Sequence, residues 1–277
     1  MHLPDPQLDF VQAAGLSFLT DKRLFAECGI CIGFTTREGG VSQGPFASLN
    51  LGANTEDEVE NVQANRRILA EALEVPSLQF IYPKQVHEDT IVVVSNPSQV
   101  PTAQRESLEG ADGILVTCPD VAPLLCFADC VPVIIVSSEA FAVVHAGWRG
   151  VMARIAPKAV GMLIDLDEST DPADINVYVG PHIGGPCFET SLELSASFAD
   201  AFGSDVLVEP RHVDLSRALM TSLEALGIRP ERMIDAGLCT VCNNDEYFSY
   251  RAQDGVCGRH AAFCFRKEDR HVGGNAL

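Results

Sequence analysis

Apolar positions recur along the chain in short runs rich in β-branched residues, and this pattern predicts strands. The runs cover residues 31–36, 91–95, 113–117, 131–136, 141–145 and 175–180. Polar stretches separate several of them. Residues 96–110, polar and holding two prolines, are predicted to form a loop, and residues 167–174 form a second polar break.

Helical periodicity appears between the predicted strands. Thr55 and Glu58 have the spacing of a capping box. The apolar face of the helix that follows consists of Val59, Val62, Leu69 and Leu73. Asp214 is predicted to cap another helix, which Gly227 ends. The positions of that helix that face the core are Leu215, Leu219, Leu223 and Leu226.

Strand and helix patterns mix without a regular βαβ rhythm. Residues 151–165 are predicted to be helical despite Pro157, and the polar, glycine-containing residues 266–277 are predicted to fray. Neither an internal repeat nor a long linker divides the sequence. We therefore predict a layered α/β or α+β fold that forms a single domain over residues 1–277.

The charge of the chain limits its partners. A formal net charge of −19 disfavours nucleic-acid polymers and membranes, whose anionic groups it would repel. A small anionic substrate remains compatible where arginines converge. The sequence has neither an apolar run of about 18 residues nor an N-terminal export signal. We therefore predict a cytoplasmic protein whose ten cysteines stay reduced.

Three residues able to bind a metal lie at the ends of predicted strands. Cys130 directly precedes one strand, His145 ends the next, and His87 lies just before another. A thiolate with two imidazoles suits zinc and also copper, and three ligands leave open the position that a catalytic zinc needs. The spacing fits ordinary structural histidines too, so both interpretations stay open at this point.

Other motifs are weaker or absent. Two CxxC pairs, Cys28/Cys31 and Cys239/Cys242, have the spacing of zinc ligands. Because the first pair brackets the start of an apolar strand, we interpret all four as ordinary buried thiols rather than a structural zinc site. The sequence contains no GxGxxG, GxxxxGK or HExxH motif, nor the HxE and PCxxC signature of nucleoside deaminases.

Several segments carry a family resemblance. In chain order they are GFTTREGGVS, LNLG followed by NR, ADC-x-P, HAGWRG, VGPHIG, and CT followed by FSYR. From residue 33 to about residue 259 the chain resembles the laccase-domain family, first labelled multicopper polyphenol oxidases. Its members are also described as purine nucleoside phosphorylases with adenosine deaminase activity. The resemblance implies two packed mixed sheets flanked by helices, an α/β/β/α sandwich, with the metal ligands His87, Cys130 and His145 on one side.

The resemblance also implies an activity. A zinc-dependent enzyme of this kind cleaves adenosine, inosine, guanosine or methylthioadenosine with phosphate, giving the base and ribose 1-phosphate, and deaminates adenosine. Zinc lowers the pKa of bound water to about 7, which would serve deamination. We predict Arg37, Arg149 and Arg251 as phosphate anchors, because guanidinium groups match phosphate geometry and Arg149 begins a predicted helix. The alternative for each arginine is an ordinary ion pair.

Roles for two acidic residues follow less directly. Asp129 and Glu189 are candidate proton-transfer groups, but Asp129 also fits a ligand-orienting role and Glu189 a helix-capping role. The chain departs from the family pattern at Glu88, where glycine is usual, and at residues 188–191, where Tyr-Glu-Val-Gly is usual. Both departures lie near the predicted site and leave the preferred substrate open.

Three other functions stay open. The first is a metal-free cysteine hydrolase with Cys130 as nucleophile and His145 as base, one version of which edits peptidoglycan precursors. The second is a polyphenol oxidase with a single copper ion, since seven histidines without any His-x-His pair cannot build a multicopper centre. The third is a binding protein with a structural metal, although structural zinc normally has four protein ligands.

Overall fold

Two mixed sheets of six strands each form the centre of the structure. A computed structural model describes residues 2–75 and 79–267. The strands are β1 (Asp9–Ala13), β2 (Leu16–Thr20), β3 (Ile30–Thr35), β4 (Gln79–Ile81), β5 (Ile91–Val94), β6 (Gly113–Val116), β7 (Val121–Phe127), β8 (Val131–Val136), β9 (Phe141–Ala146), β10 (Asn176–Val179), β11 (Leu207–Glu209), β12 (His212–Val213), β13 (Met233–Asp235) and β14 (His260–Arg266). The helices are α1 (Lys22–Cys28), α2 (Val59–Ala72), α3 (Val100–Glu109), α4 (Trp148–Met152), α5 (Ile155–Leu166), α6 (Leu192–Phe202) and α7 (Leu215–Glu224).

Both large sheets combine parallel and antiparallel neighbours. The first sheet has the order β1-β2-β3-β14-β7-β4, and the second has the order β13-β10-β8-β9-β6-β5. The pairs β4–β7, β5–β6 and β10–β13 are parallel, and the remaining neighbours are antiparallel. Strands β11 and β12 form a separate two-stranded ribbon.

The sheets pack against each other through one apolar layer. Phe34, Leu125 and Ala262 from the first sheet meet Ile134 and Val143 from the second. Helix α2 covers the outer face of the first sheet, and α4 to α7 cover the outer face of the second. Helices α1 and α3 add buried residues to the layer between the sheets. Because each face is apolar and must be covered, the result is the predicted α/β/β/α sandwich.

The sequence pattern predicted six of the fourteen strands in the described part of the chain. All six predicted strands are present, with bounds that differ by one residue at most. Asp214 caps α7 as predicted, because its carboxylate accepts a 2.9 Å hydrogen bond from the backbone N–H of Arg217. Gly227 follows the end of that helix in a left-handed conformation, with φ of 94°. Leu226, in contrast, is exposed rather than part of the core face.

The predicted loop at residues 96–110 is wrong, because most of it forms α3. The side chain of Asn96 accepts a hydrogen bond from the N–H of Ser98, and the side-chain oxygen of Gln99 accepts one from the N–H of Asn96. Pro101 occupies the first turn of α3, where a missing N–H leaves no helical hydrogen bond unmade. The polar surface of the helix hid its short buried face, which consists of Val100, Ala103 and Ser107.

Two predicted helix boundaries are also wrong. Thr55 does not cap α2, because its hydroxyl bonds to the carbonyl of Gly52, and Glu58 holds the N-cap position without a side-chain cap. The helical stretch at 151–165 is interrupted at Arg154, whose φ of 61° separates α4 from α5. Pro157 then lies in the first turn of α5, where backbone N–H groups lack helical partners.

The prediction for the C-terminal end, that residues 266–277 fray, falls mostly on residues 268–277, which lie outside the described part. Among the residues that are described, no helix is both long enough and apolar enough to cross a bilayer.

Candidate functional site

Three side chains from distant segments meet at one end of the second sheet. Cys130 ends the turn between β7 and β8, His145 lies in β9, and His87 lies shortly before β5. Strands β8 and β9 pair so that Pro132 is opposite His145, which brings Cys130 beside the imidazole. The candidate ligand atoms of the three residues all lie within 4.8 Å of one another. The structure thus brings the three predicted ligands together, and their binding of a metal stays a prediction.

A short turn joins β7 to β8. Pro132 lies inside β8, and its carbonyl accepts a hydrogen bond from the N–H of Gly180. The change of direction occurs around Asp129, whose φ is 87°. A positive φ is uncommon for a residue with a side chain, so the hydrogen bonds of Asp129 must hold the turn.

Asp112 orients both histidines, and sequence analysis did not single it out. Its fully buried carboxylate lies 2.7 Å from Nδ1 of His145. The same carboxylate accepts hydrogen bonds from the backbone N–H groups of Val86, His87 and Glu88. Because Nδ1 of His145 faces Asp112, Nε2 is the nitrogen available to a ligand. One feature of the sequence could have identified Asp112: it is an acidic residue directly before an apolar strand, in the segment ADGILV.

The Cys130–His145 pair is polarised. Burial opposes the thiolate, but the charge of His145 and hydrogen bonds from His145 and His87 lower the pKa of Cys130 to about 6. Burial also opposes the imidazolium, but the charge of Cys130 and the hydrogen bond to Asp112 raise the pKa of His145 to about 9. Near neutral pH the metal-free pair is therefore a thiolate beside an imidazolium, and metal binding would release the imidazolium proton.

In the metal-free protein, alkylation of Cys130 by iodoacetamide is expected to reach half of its maximal rate near pH 6. The thiolate is the reactive form, and its fraction rises as the pH passes the pKa of about 6. Cys126 lines the same cavity, but burial raises its pKa, so it serves as an internal control that reacts only at higher pH. Peptide mass spectrometry measures both rates. Labelling of Cys130 that rises only above about pH 8 would contradict the polarised pair.

The donor set fits a zinc or copper ion. One thiolate and two imidazoles are ligands that both metals accept, and the second nitrogen of His145 has the carboxylate partner typical of metal-bound histidines. Gly147 leaves room at the cluster: a Cβ there would lie 3.1 Å from Sγ of Cys130 and 3.2 Å from Cδ2 of His87. A small residue at this position therefore keeps the space between the three ligands open.

The variant Gly147→Ala is expected to weaken zinc binding by about 10- to 100-fold, a range typical of changes next to metal ligands. The φ of Gly147 is −68°, which alanine adopts freely, so the effect would come from the crowded ligands alone. Gly161→Ala is the matched control, since a Cβ there meets no atom within 4 Å. Competition with a fluorescent chelator measures both affinities. Equal affinity in the two variants would contradict the crowding.

A cavity of about 820 Å³ opens onto the cluster, a volume typical of small-molecule sites. Its lining includes all three candidate ligands together with four aromatic side chains: Tyr82, Trp148, Phe188 and Tyr250. It also includes five basic side chains: Arg66, Lys84, Arg149, Arg251 and Arg259. On a chain of net charge −19 this local excess of basic groups favours an anionic ligand.

Two of the three predicted phosphate anchors line the cavity. Arg149 is exposed, and its guanidinium lies 4.4 Å from the centre of the Trp148 ring. Helix α4 has only five residues, so Arg149 gains no support from a helix dipole. Arg251 donates to the carbonyls of Cys187 and Glu189, which position its guanidinium at the cavity wall.

Arg37 lies elsewhere, and the structure gives no support to a phosphate-binding role. Its guanidinium donates to the backbone carbonyls of Ala47 (2.8 Å) and Asn244 (2.6 Å) and lies over the ring of Phe248. These contacts join the GFTTREGGVS segment to the C-terminal segment. The alternative considered from the sequence, a structural arginine, describes its position better.

Sequence analysis missed three basic residues of the cavity. Arg66 donates to the carbonyl of Leu51 and lies 4.0 Å over the ring of Tyr82, and Arg259 donates to the carbonyl of Cys257. Lys84 is exposed at the rim. The NR pair after LNLG was the signal for Arg66. No local pattern marked the other two.

The two candidate proton-transfer residues, Asp129 and Glu189, make structural contacts. Asp129 accepts hydrogen bonds from Thr240 Oγ1, Ser249 Oγ and the N–H of Arg251, all between 2.6 and 2.7 Å. It therefore ties the C-terminal segment to the turn that carries Cys130, in line with the orienting alternative. Glu189 is half exposed and forms an ion pair with Arg211, away from the cavity lining.

The chain contains a GxSxG pattern, GVSQG at residues 40–44, which can mark a nucleophilic serine. The structure gives Ser42 a different role. Its hydroxyl donates to Asp57 at 2.6 Å and accepts from the side chain of Asn65. Because this serine is buried in a loop and bonded to a carboxylate and an amide rather than a histidine, we assign it no nucleophilic role.

Comparisons with known proteins show the family and the fold of the chain. The family model described as multi-copper polyphenol oxidoreductase laccase matches residues 31–267. The chain is 35% identical over 252 residues to purine nucleoside phosphorylase YlmD of Geobacillus stearothermophilus, covering 87% of this chain and 92% of the relative. It is 29% identical over 249 residues to YlmD of Bacillus subtilis, with coverage of 86% and 89%. The crystal structure of the Geobacillus YlmD superposes with a TM-score of 0.81 and 33% identity, covering 94% of this chain and 99% of that one.

Proposed function

The chain belongs to the family described as multi-copper polyphenol oxidoreductase laccase, and from this premise we propose that it is a zinc-dependent purine nucleoside phosphorylase. Its substrates would be inosine, adenosine, guanosine or methylthioadenosine together with phosphate. The products would be the free base and ribose 1-phosphate. Adenosine deamination would be a second reaction of the same cavity.

One observation carries the proposal: a single cavity joins the His87–Cys130–His145 cluster to five basic side chains. A phosphorylase must hold an anionic phosphate and a neutral nucleoside side by side. The basic groups supply the first requirement, and the aromatic side chains Tyr82, Trp148, Phe188 and Tyr250 supply flat surfaces for a purine. The two kinds of surface adjoin the candidate metal ligands.

Phosphorolysis requires specific roles from the residues that line the cavity. In phosphorolysis a phosphate oxygen bonds to the ribose anomeric carbon, and the electron pair of the broken glycosidic bond leaves with the purine, which takes up a proton. Arg149 and Arg251 are proposed to hold the phosphate, because guanidinium groups bind its oxygens in pairs. Aromatic stacking would orient the purine. When bound, zinc supplies a Lewis acid that polarises the substrate.

The deamination proposed for adenosine exchanges the amino group at purine C6 for an oxygen taken from water and releases ammonia. Asp129 is not assigned as the proton-transfer group, since three hydrogen bonds already engage its carboxylate. Asp112 is proposed to keep Nε2 of His145 directed at the reaction space through its bond to Nδ1.

A cysteine hydrolase is the second candidate, and one observation favours it. Asp112, His145 and Cys130 form a chain of contacts in which a carboxylate orients an imidazole and the imidazole polarises a thiol. A carboxylate, an imidazole and a thiol in this order form a triad of the kind that activates a catalytic nucleophile. A single-copper oxidase remains a further outcome of the metal test, because the same three ligands accept copper.

The direct test is base release from inosine by protein of measured zinc content, with and without phosphate. We expect release only with phosphate, appearance of ribose 1-phosphate, and loss of activity after metal removal with recovery on adding zinc. Activity that survives in metal-free protein and disappears on thiol alkylation would favour the hydrolase. Phenol oxidation that requires copper would favour the oxidase, and binding without turnover would favour a structural metal.

Replacing Arg149 by alanine is expected to raise the KM for phosphate by about 10- to 100-fold, the size of a lost hydrogen bond to a charged group. The KM for inosine should change much less, because the proposed purine surface stays intact. Arg217→Ala is the matched control, since Arg217 is an exposed arginine of α7 outside the cavity lining. Initial rates at varied phosphate and fixed inosine measure the effect. An unchanged phosphate KM would contradict the assignment.

A cytoplasmic location is part of this proposal. The proposed activity needs Cys130 as a thiolate. A reactive thiolate of this kind is kept reduced in a reducing compartment.

A further inference from the structure

Three cysteines outside the proposed active site form a second cluster. Cys187, Cys239 and Cys242 place their sulfur atoms within 4.8 Å of one another. The Sγ atoms of Cys187 and Cys242 are 3.6 Å apart. We interpreted Cys239 and Cys242 from the sequence as ordinary buried thiols, but Cys242 is exposed and the other two are half-buried. No local pattern marked the third member, Cys187, which lies about fifty positions earlier.

The backbone around the cluster is held by paired hydrogen bonds. His182 donates to the carbonyl of Leu238 (3.1 Å), and Thr240 donates to the carbonyl of His182 (2.9 Å), so that two segments run in parallel. The N–H of Gly184 donates to Sγ of Cys239 at 3.2 Å. The two segments that carry the three sulfur atoms are therefore hydrogen-bonded to each other.

The geometry of the cluster suits a cation. The N–H of Gly184 directs its positive end at Sγ of Cys239, and the other two sulfur atoms lie within 4.8 Å of that sulfur. Three thiolates so close together would repel one another, and a bound cation removes that repulsion.

We propose that Cys187, Cys239 and Cys242 form a second metal site, which binds a thiophilic ion, Zn²⁺ or Cu⁺, through three thiolates. Thiolate sulfur is the ligand that these ions prefer among protein groups. The exposed Cys242 leaves the ion accessible from solvent, so the fourth position of a zinc ion would hold water. The proposed second site is separate from the His87–Cys130–His145 cluster, because the two share no residue.

The second site is connected to the cavity wall. The carbonyl of Cys187 accepts a hydrogen bond from Arg251, and the next residue, Phe188, lines the cavity. Thr240, between the other two cysteines, donates to Asp129 beside Cys130. An ion that joins the 182–188 and 238–242 segments would therefore fix the wall that carries Phe188 and Arg251.

The test measures metal stoichiometry in protein purified under reducing conditions and titrated with Zn²⁺ or, anaerobically, with Cu⁺. We expect two ions in the wild-type protein and one in Cys242→Ser, whose exposed position tolerates serine. Cys118→Ser is the matched control and should keep both ions, because serine can replace the weak Sγ contact with the Val94 carbonyl. His87→Ala should lose the other ion and keep this one, which separates the two sites.

A second measurement does not depend on variants. Zn²⁺ or Cu⁺ should protect Cys242 from iodoacetamide, and a chelator should restore its labelling, both read by peptide mass spectrometry. Equal stoichiometry in wild type and Cys242→Ser, with no protection by either ion, overturns the proposal. A Cys187–Cys242 disulfide in the native protein, with no metal bound after reduction, overturns it as well, since the pair is near enough to be oxidised.

Discussion

Replacing His87 by alanine is expected to reduce phosphate-dependent base release from inosine by at least about 100-fold and to remove the zinc of the cavity. His87 supplies one of three donors, and its loss would leave Cys130 and His145 as two ligands, too few for a stable catalytic zinc. Elemental analysis and initial rates measure the two effects. His2→Ala, at an exposed histidine far along the chain from the site, is the matched control.

The same variant separates the two candidate functions. A cysteine hydrolase needs Cys130, His145 and Asp112, and His87 would only adjust the thiol. Such an enzyme would keep most of its activity without His87, whereas a zinc enzyme would not. Full activity of a zinc-free His87→Ala protein would therefore end the zinc proposal and leave the hydrolase.

The second large effect is expected at Asp112. The variant Asp112→Asn should lower the free energy of unfolding by about 3–5 kcal/mol, as is typical when one partner of a buried ion pair is removed. Its zinc affinity should fall by about 10- to 100-fold. The carboxylate accepts four hydrogen bonds, two on each oxygen, and an amide nitrogen has no lone pair for the two donors that it would face.

A matched control exists at another buried carboxylate. Asp21 caps α1 by accepting from the N–H of Leu24 and also accepts from the hydroxyl of Tyr178. Asp21→Asn should cost about 1–3 kcal/mol of unfolding free energy and leave zinc affinity unchanged. Urea unfolding and chelator competition measure the two properties in both variants. Loss of zinc affinity in Asp21→Asn to the same degree would show that the effect at Asp112 is general destabilisation.

Local patterns determined much of the fold. Alternating and continuous apolar runs marked β3, β5, β6, β8, β9 and β10, because the strand period and the preference for β-branched side chains act within a few residues. The same local physics placed the cap of α7 at Asp214. Local patterns failed for α3, whose polar surface outweighed a short buried face, and for the N-cap of α2, because the side chain of Thr55 bonds to the carbonyl of Gly52 instead.

The family resemblance supported the metal-ligand prediction more strongly than spacing alone. His87, Cys130 and His145 lie at the ends of predicted strands, the resemblance implies that they bind a metal, and the structure brings them together. Arg37 shows the limit of motif reasoning. It lies in a matching segment, yet its guanidinium bonds to two backbone carbonyls.

The sequence by itself determined six of the strands, the layered α/β arrangement and the three residues at the centre of the candidate site. Only the tertiary structure decided which groups surround them. Asp112 reaches His145 because β6 pairs with β9, Arg259 enters the cavity from near the C-terminal strand, and Cys187 meets Cys239 across about fifty residues. These contacts depend on strand order and register, which are set by the packing of whole sheets and leave no periodic signal in any one segment.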